Sequence, residues 1–211
     1  ESEIQQQFNQ IMNKYKNVFI LSSSADADRL WSIYEAYKSS GRPLLCDSYQ
    51  KKMLDIIRDG YDPGKPLYRF KTEDIFDIKT HWANSKLVKW MHDKGFAMLI
   101  RRSDTFQRYL DQILPCCVPE ETCIVYSMFK GYIDPEHKAF NQNLYDFVNQ
   151  FPNTVFCHTS GHASKECIEK VCSLINPTRA IIPIHKESTF DLLELLQEVK
   201  DKIYNDSILN I

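Results

Sequence analysis

The chain predicts a doubly wound, mostly parallel α/β sheet. Short apolar runs of strand length recur at 18–21, 42–46, 96–100, 122–126 and 154–157. Most of the intervening segments repeat their apolar residues at helical rather than strand spacing. A helix between successive strands is the crossover that parallel pairing requires, and this alternation is the mark of the α/β class. With 211 residues, 43% of them hydrophobic, the chain can bury a substantial core. A formal net charge of −2 gives no global field for nucleic acid, so any such binding must be local.

The elements follow in order. Residues Ile4, Phe8, Ile11, Met12 and Tyr15 share one face of an opening helix that begins directly at Glu1. Without an initiator methionine, this start suggests a piece cut from a longer chain. The strand at 18–21 runs into a polar loop, Ser22-Ser23-Ser24-Ala25-Asp26-Ala27-Asp28-Arg29. That loop reads either as a helix cap with a surface salt bridge or as part of a ligand site. Leu30, Trp31, Ile33, Tyr34 and Tyr37 line the next helix, a strand is expected at 42–46, and a helix at 49–58. The stretch 61–80, with Asp62-Pro63-Gly64 and Lys65-Pro66, is the least regular and reads as a loop.

A helix at 84–94, a strand at 96–100 and a helix at 105–114 come next. Arg101-Arg102, at the strand end, could hold phosphates or form a solvated pair. The aromatics Tyr61, Tyr68, Phe70, Phe76 and Trp82 could stack bases, although core packing is the commoner use of such rings. The strand at 122–126 leads into Ser127-Met128-Phe129-Lys130-Gly131-Tyr132, where Lys130 could meet a phosphate. A helix at 137–150 precedes the richest stretch, and an amphipathic helix from Phe190 to about Ile203, opened by Ser188-x-x-Asp191, ends the chain.

Residues 154–187 read as strand, polar loop, helix and strand. After the strand at 154–157 comes His158-Thr159-Ser160-Gly161-His162-Ala163, with Ser164 placed to cap a helix. Cys167, Ile168, Val171, Cys172 and Ile175 recur on one face of that helix, Asn176-Pro177 stops it, and 180–184 is expected to be a second buried strand ending at His185. A strand-to-helix loop offers backbone N–H groups and a partial positive charge. Ser160 and Ser164 add hydroxyls, Gly161 allows close approach, and His158 and His162 can donate to an anion or exchange a proton near neutral pH. The spacing His158-x-x-x-His162 would suit a zinc-binding helix, but the glycine and the preceding strand argue for a loop. A strand-end histidine such as His185 is more often structural than a ligand.

Together, the loop HTSGHAS and the later NPTRAIIPIHKE resemble the C-terminal signature of the β-CASP branch of the metallo-β-lactamase superfamily, typified by ribonuclease J. Lys186 stands where that family usually has glycine. The serine-rich strand end, the Asp28-Arg29 pair and the Gly41-Arg42 strand resemble the opening of a β-CASP domain. The resemblance implies a β-CASP domain at 1–150 and a returning segment of the metallo-β-lactamase domain at 151–211. It implies a zinc-dependent phosphodiesterase acting on RNA as the parent activity, with His162 and His185 catalytic, His185 a zinc ligand and two zinc ions in the parent site. It implies phosphate or RNA contacts at His158, Ser160, Gly161, Ser164, Ser22, Ser23, Arg29, Ser127 and Lys130. The family's metal-binding His-x-His-x-Asp-His half has no counterpart in this sequence. The chain alone is therefore expected to be inactive, to hold no stoichiometric zinc, and to need that missing half as a partner alongside RNA. A homo-oligomer is left open. The rival readings are a non-catalytic binder of nucleic acid or protein, and a metallohydrolase for another phosphodiester.

Seven cysteines, an odd number without a Cys-x-x-Cys pair, suit reduced thiols and a cytoplasmic location better than a disulfide framework. No apolar run approaches membrane-spanning length.

Overall fold

The computed structural model describes residues 1–60, 68–81, 84–159, 165–179 and 181–182. It divides into two compact units, Glu1–Thr159 and Ser160–Ile211.

In the first unit the strands are β1 (Asn17–Ser22), β2 (Leu44–Cys46), β3 (Ile75–Asp77), β4 (Phe96–Ile100), β5 (Thr122–Ser127) and β6 (Thr154–Phe156). Among the described residues they form one sheet in the order β3-β2-β4-β1-β5-β6, and every neighbouring pair is parallel. Every residue of β1, β4 and β5 is buried, as expected of central strands covered on both faces.

Alternate side chains of these strands feed two separate cores. Val18, Ile20, Ala97, Leu99, Cys123 and Val125 point to one face. That face is covered by α1 (Ser2–Lys14), α2 (Ala27–Lys38) and α3 (Ser48–Asp59), through residues such as Phe8, Met12, Ile33 and Leu54. Phe19, Leu21, Met98, Ile100, Ile124 and Tyr126 point to the other. Short α4 (Ile78–His81), α5 (Ser85–Lys94), α6 (Asp104–Ile113) and α7 (Gln142–Val148) cover it through Ile78, Leu87, Phe106, Leu110 and Phe147. Each fully buried aliphatic or aromatic side chain contributes about 1.5–3 kcal/mol.

Local chemistry sets the helix starts. Asp26 accepts from the Arg29 amide and Ser103 from the Phe106 amide, each satisfying a first-turn donor. Asp47 and Gln50 form a reciprocal capping box at α3.

Several elements depart from the sequence expectation. β2 begins at Leu44 rather than Arg42, since Pro43 has no amide to donate and contributes only its carbonyl, to Ala97. The stretch expected to be irregular contains a 3₁₀ turn (Thr72–Asp74), β3 and α4. A three-residue strand is too short to show periodicity, and β3 is held from outside by Lys51 Nζ, which donates to the Ile75 carbonyl at 2.8 Å. The helix expected at 137–150 is only α7. Before it, Lys130–Tyr132 makes a 3₁₀ turn and Asp134 begins a further turn, and Asn141 then caps α7 by accepting from Leu144.

In the second unit α8 (Lys165–Ile175) forms where its apolar spacing predicts. It ends at Asn176, whose left-handed φ of 42° is tolerated by asparagine better than by most residues. Of the strand expected at 180–184 only Ile181 and Ile182 are described. Ile181 makes a single β-bridge and Ile182 is 50% exposed, so burial does not follow here. An apolar run is buried only by a neighbouring strand, which the run itself does not specify. The expected helix from Phe190 lies outside the described residues.

Candidate anion site at the carboxyl edge

β1 and β5 lie side by side, and their connections leave in opposite directions. The chain leaves β1 through α2 on the first face toward β2, and leaves β5 through α7 on the second face toward β6. Such a reversal opens a crevice at the carboxyl ends of parallel strands, where ligands of doubly wound sheets bind. Ser22 and Ser127 are register partners at the mouth of this crevice, and both are buried.

Arg29 lies beneath them, in the first turn of α2, and is 1% exposed. Its Nη1 donates to Ser127 Oγ at 2.5 Å and to the Cys157 carbonyl at 3.5 Å, and lies 3.4 Å from His158 Nδ1. Its Nη2 donates to Glu1 Oε1 at 3.1 Å and to the Thr159 carbonyl at 3.5 Å, and its Nε donates to Glu1 Oε2 at 3.2 Å. Ser127 Oγ in turn donates to the Cys157 carbonyl. One planar guanidinium therefore joins Glu1 at the start of α1, the end of β5 and the segment after β6, and clamps the backbone on both sides of His158, a use of a fixed fork that lysine could not match. Arg29 positions the loop, its guanidinium turned to protein acceptors.

The electrostatics follow from this contact set. Burial pushes the Glu1 carboxyl up, but the hydrogen bonds from Arg29 and Ser32 outweigh it and hold it below the usual range. Burial and then the Arg29 charge lower the pKa of His158, against a smaller opposing contribution from the Ser127 backbone. Because Arg29 can only donate, the contact needs an unprotonated Nδ1, which puts the His158 proton on Nε2. His158 is exposed.

His158 is accordingly expected to titrate below the ordinary histidine value, and in Arg29→Met to move up. A pH series following the imidazole Cε1–H resonance measures both, and an unmoved midpoint would show that Arg29 does not set it. A lowered folded pKa means that the unfolded chain takes the proton first. The His158 contribution to stability is then undiminished above about pH 6.5 and falls as the pH drops through that value toward the folded pKa.

The other nominated residues are placed as follows. Ser23 is exposed, and its Oγ accepts from the Ala25 amide at 3.3 Å. Asp26 and Asp28 flank the same turn, and Tyr68 donates to Asp28. Lys130 is exposed, its Nζ 5.4 Å from the Phe156 ring centre. Ser160, Gly161, His162, Ser164 and His185 lie outside the described residues. The aromatics nominated for stacking fare differently: Tyr68 and Phe70 are core residues, Phe76 packs against the second core, and Tyr61 and Trp82 lie outside the described residues.

A cavity of about 430 Å³ opens at the other end of the sheet, by Asn17 and Phe96 at the starts of β1 and β4. Its walls are mainly apolar, including Leu87, Met91 and Ile113, and it is no part of the carboxyl edge. Among the described residues no group of three or more His, Cys, Asp or Glu could hold a metal ion. All seven cysteines are free thiols. No helix among the described residues is long and apolar enough to cross a membrane. The chain matches no protein-family model, and a search of curated proteins finds no match.

Proposed function

We propose that this chain supplies one wall of the nucleic-acid cleft of a metal-dependent phosphodiesterase that hydrolyses RNA. The observation that carries the reading is the Arg29 clamp, which ties Ser127, Cys157, His158 and Thr159 together at the sheet reversal. By chain continuity the clamp presents the start of the HTSGHA loop at the edge where ligands of this architecture bind. The exposed Ser23 and His158 side chains are the described groups offered to a phosphate.

The described residues do not form a zinc site. Zinc in the parent enzyme would supply an activated water. What this chain's own residues do is bind, orient and donate hydrogen bonds. In this reading His162 lies beside the scissile phosphate and His185 belongs to the metal site, both on resemblance to the β-CASP enzymes.

Titration of the ¹⁵N-labelled chain with a nucleoside monophosphate tests the reading. Amide shifts are expected at Ser22, Ser23, Ser127 and 158–164. A response confined to another surface, the apolar cavity for example, would overturn it.

A further inference from the structure

Exposed aromatic rings are concentrated at one edge of the sheet. Among the described residues the exposed Phe, Tyr and Trp are Tyr49, Trp90, Phe129, Tyr132 and Phe156, from 38% to 52% exposed. All but Trp90 follow or end a strand at the carboxyl edge. Tyr49 lies three residues beyond the end of β2, Phe129 and Tyr132 lie in the turn after β5, and Phe156 is the last residue of β6. Chance burial has no reason to place them on the edge that carries the candidate anion site.

Two of these rings also carry a cation. The Arg101 guanidinium lies 4.9 Å from the centre of Tyr49, and Lys130 Nζ lies 5.4 Å from the centre of Phe156. Arg101 and the Phe156 ring are each held in place by a neighbour. Arg101 Nε donates to Asp47 Oδ2 at 2.5 Å, which fixes the guanidinium plane over Tyr49. Tyr126 meets Phe156 edge-on with ring centres 6.0 Å apart. A ring beside a cation suits a nucleotide: the base stacks on the π-face while the charge meets its phosphate.

We propose that Tyr49 with Arg101, and Phe156 with Lys130, form two base-stacking subsites for a nucleic-acid strand, one on each side of the β1/β5 crevice. This rests on the nucleic-acid reading above. Four inter-strand steps separate β2 from β6, roughly 19 Å at the usual spacing. Five or six stacked nucleotides at about 3.4 Å each would span it, and fewer in an extended strand. The bound strand therefore crosses the sheet edge, with its central phosphates over Ser22, Ser127 and His158.

The test uses the whole chain with two fluorescein-labelled probes in anisotropy titrations, a single-stranded uridine oligonucleotide of about six residues and the abasic backbone of the same length. Tyr49→Leu and Phe156→Leu keep apolar bulk and remove the ring. The intact probe is expected to bind more tightly than the abasic one. Each variant should weaken the intact probe about fivefold or more and leave abasic binding and the thermal midpoint unchanged. Equal affinity for the two probes, or variants that bind like the parent, would overturn the stacking subsites while leaving the phosphate reading intact if mononucleotide shifts persist at Ser127 and His158. Failure of both probes together with silence of those amides would overturn both.

Discussion

Arg29→Met is expected to destabilise the chain by about 3–5 kcal/mol, because buried acceptors lose a charged donor at about 1–3 kcal/mol each. The substitution keeps most of the volume and removes every donor. Ser127 Oγ, the Cys157 and Thr159 carbonyls and the Glu1 carboxylate each lose a partner. Glu1 also loses the charge that holds its carboxyl low, although Ser32 still donates to it at 2.8 Å. For a chain of this size the thermal midpoint should fall by roughly 10 °C or more. Arg29→Lys should recover only part of the loss, because an ammonium offers three donors at a single point where the guanidinium offers five in a fixed fork. Glu1→Gln combined with Arg29→Met should cost less than the two separately, since residues of one network are not additive. Scanning calorimetry of the parent, the three single variants and the double variant decides the matter. A midpoint for Arg29→Met within about 2 °C of the parent, well under 1 kcal/mol at this size, would mean that the clamp carries no stability.

The same residue shows what could be read in advance. The Ser22–Arg29 stretch is legible as a helix cap, and Asp26 caps α2. A surface salt bridge was the natural companion reading, but the pair that forms is buried on the arginine side. Nothing within a few residues of Arg29 could announce this, because Ser127 and Cys157 lie 98 and 128 positions away. Periodicity reports how a segment is covered, and so the central strands and the two faces of the sheet follow from it. It does not report which distant segment does the covering. That is why β3, only three residues long, escaped notice, and why Tyr68 and Phe70, which are core residues, could be nominated for stacking while the exposed Tyr49 was not. Phe156 carried a weak local signal. In Thr154-Val155-Phe156 the two outer residues are exposed and Val155 packs against the first core, the period-two pattern of an edge strand with one open face.

Gly95→Ala should have an effect of similar size through a different cause. Gly95 ends α5, its amide donating to the Met91 carbonyl at 2.8 Å, and its φ of 76° lies in the region that favours glycine. A Cβ built there would stand 1.9 Å from the Lys16 carbonyl oxygen. That oxygen cannot move aside cheaply. It accepts from the Phe96 amide at 3.1 Å, which helps hold the starts of β1 and β4 together, and from Arg42 Nη1 at 3.1 Å. Backbone would have to shift at the centre of the sheet, and forced shifts of this kind cost about 1–3 kcal/mol or more. The backbone itself, with φ 76° and ψ −168°, lies in a region essentially confined to glycine and adds about 1–3 kcal/mol for any residue with a Cβ. Gly41 separates the two contributions: its φ is 65°, but nothing lies within 4 Å of a Cβ built on it. Gly41→Ala should therefore cost only the conformational part of a positive φ, and Gly95→Ala about 2–6 kcal/mol in all. Urea unfolding of both variants measures the difference, with the same slope expected if only stability has changed. Equal losses in the two would show that β1 and α5 can part at their junction without disturbing the sheet, and that the close approach of Gly95 to Lys16 is not what sets the start of β4 against the start of β1.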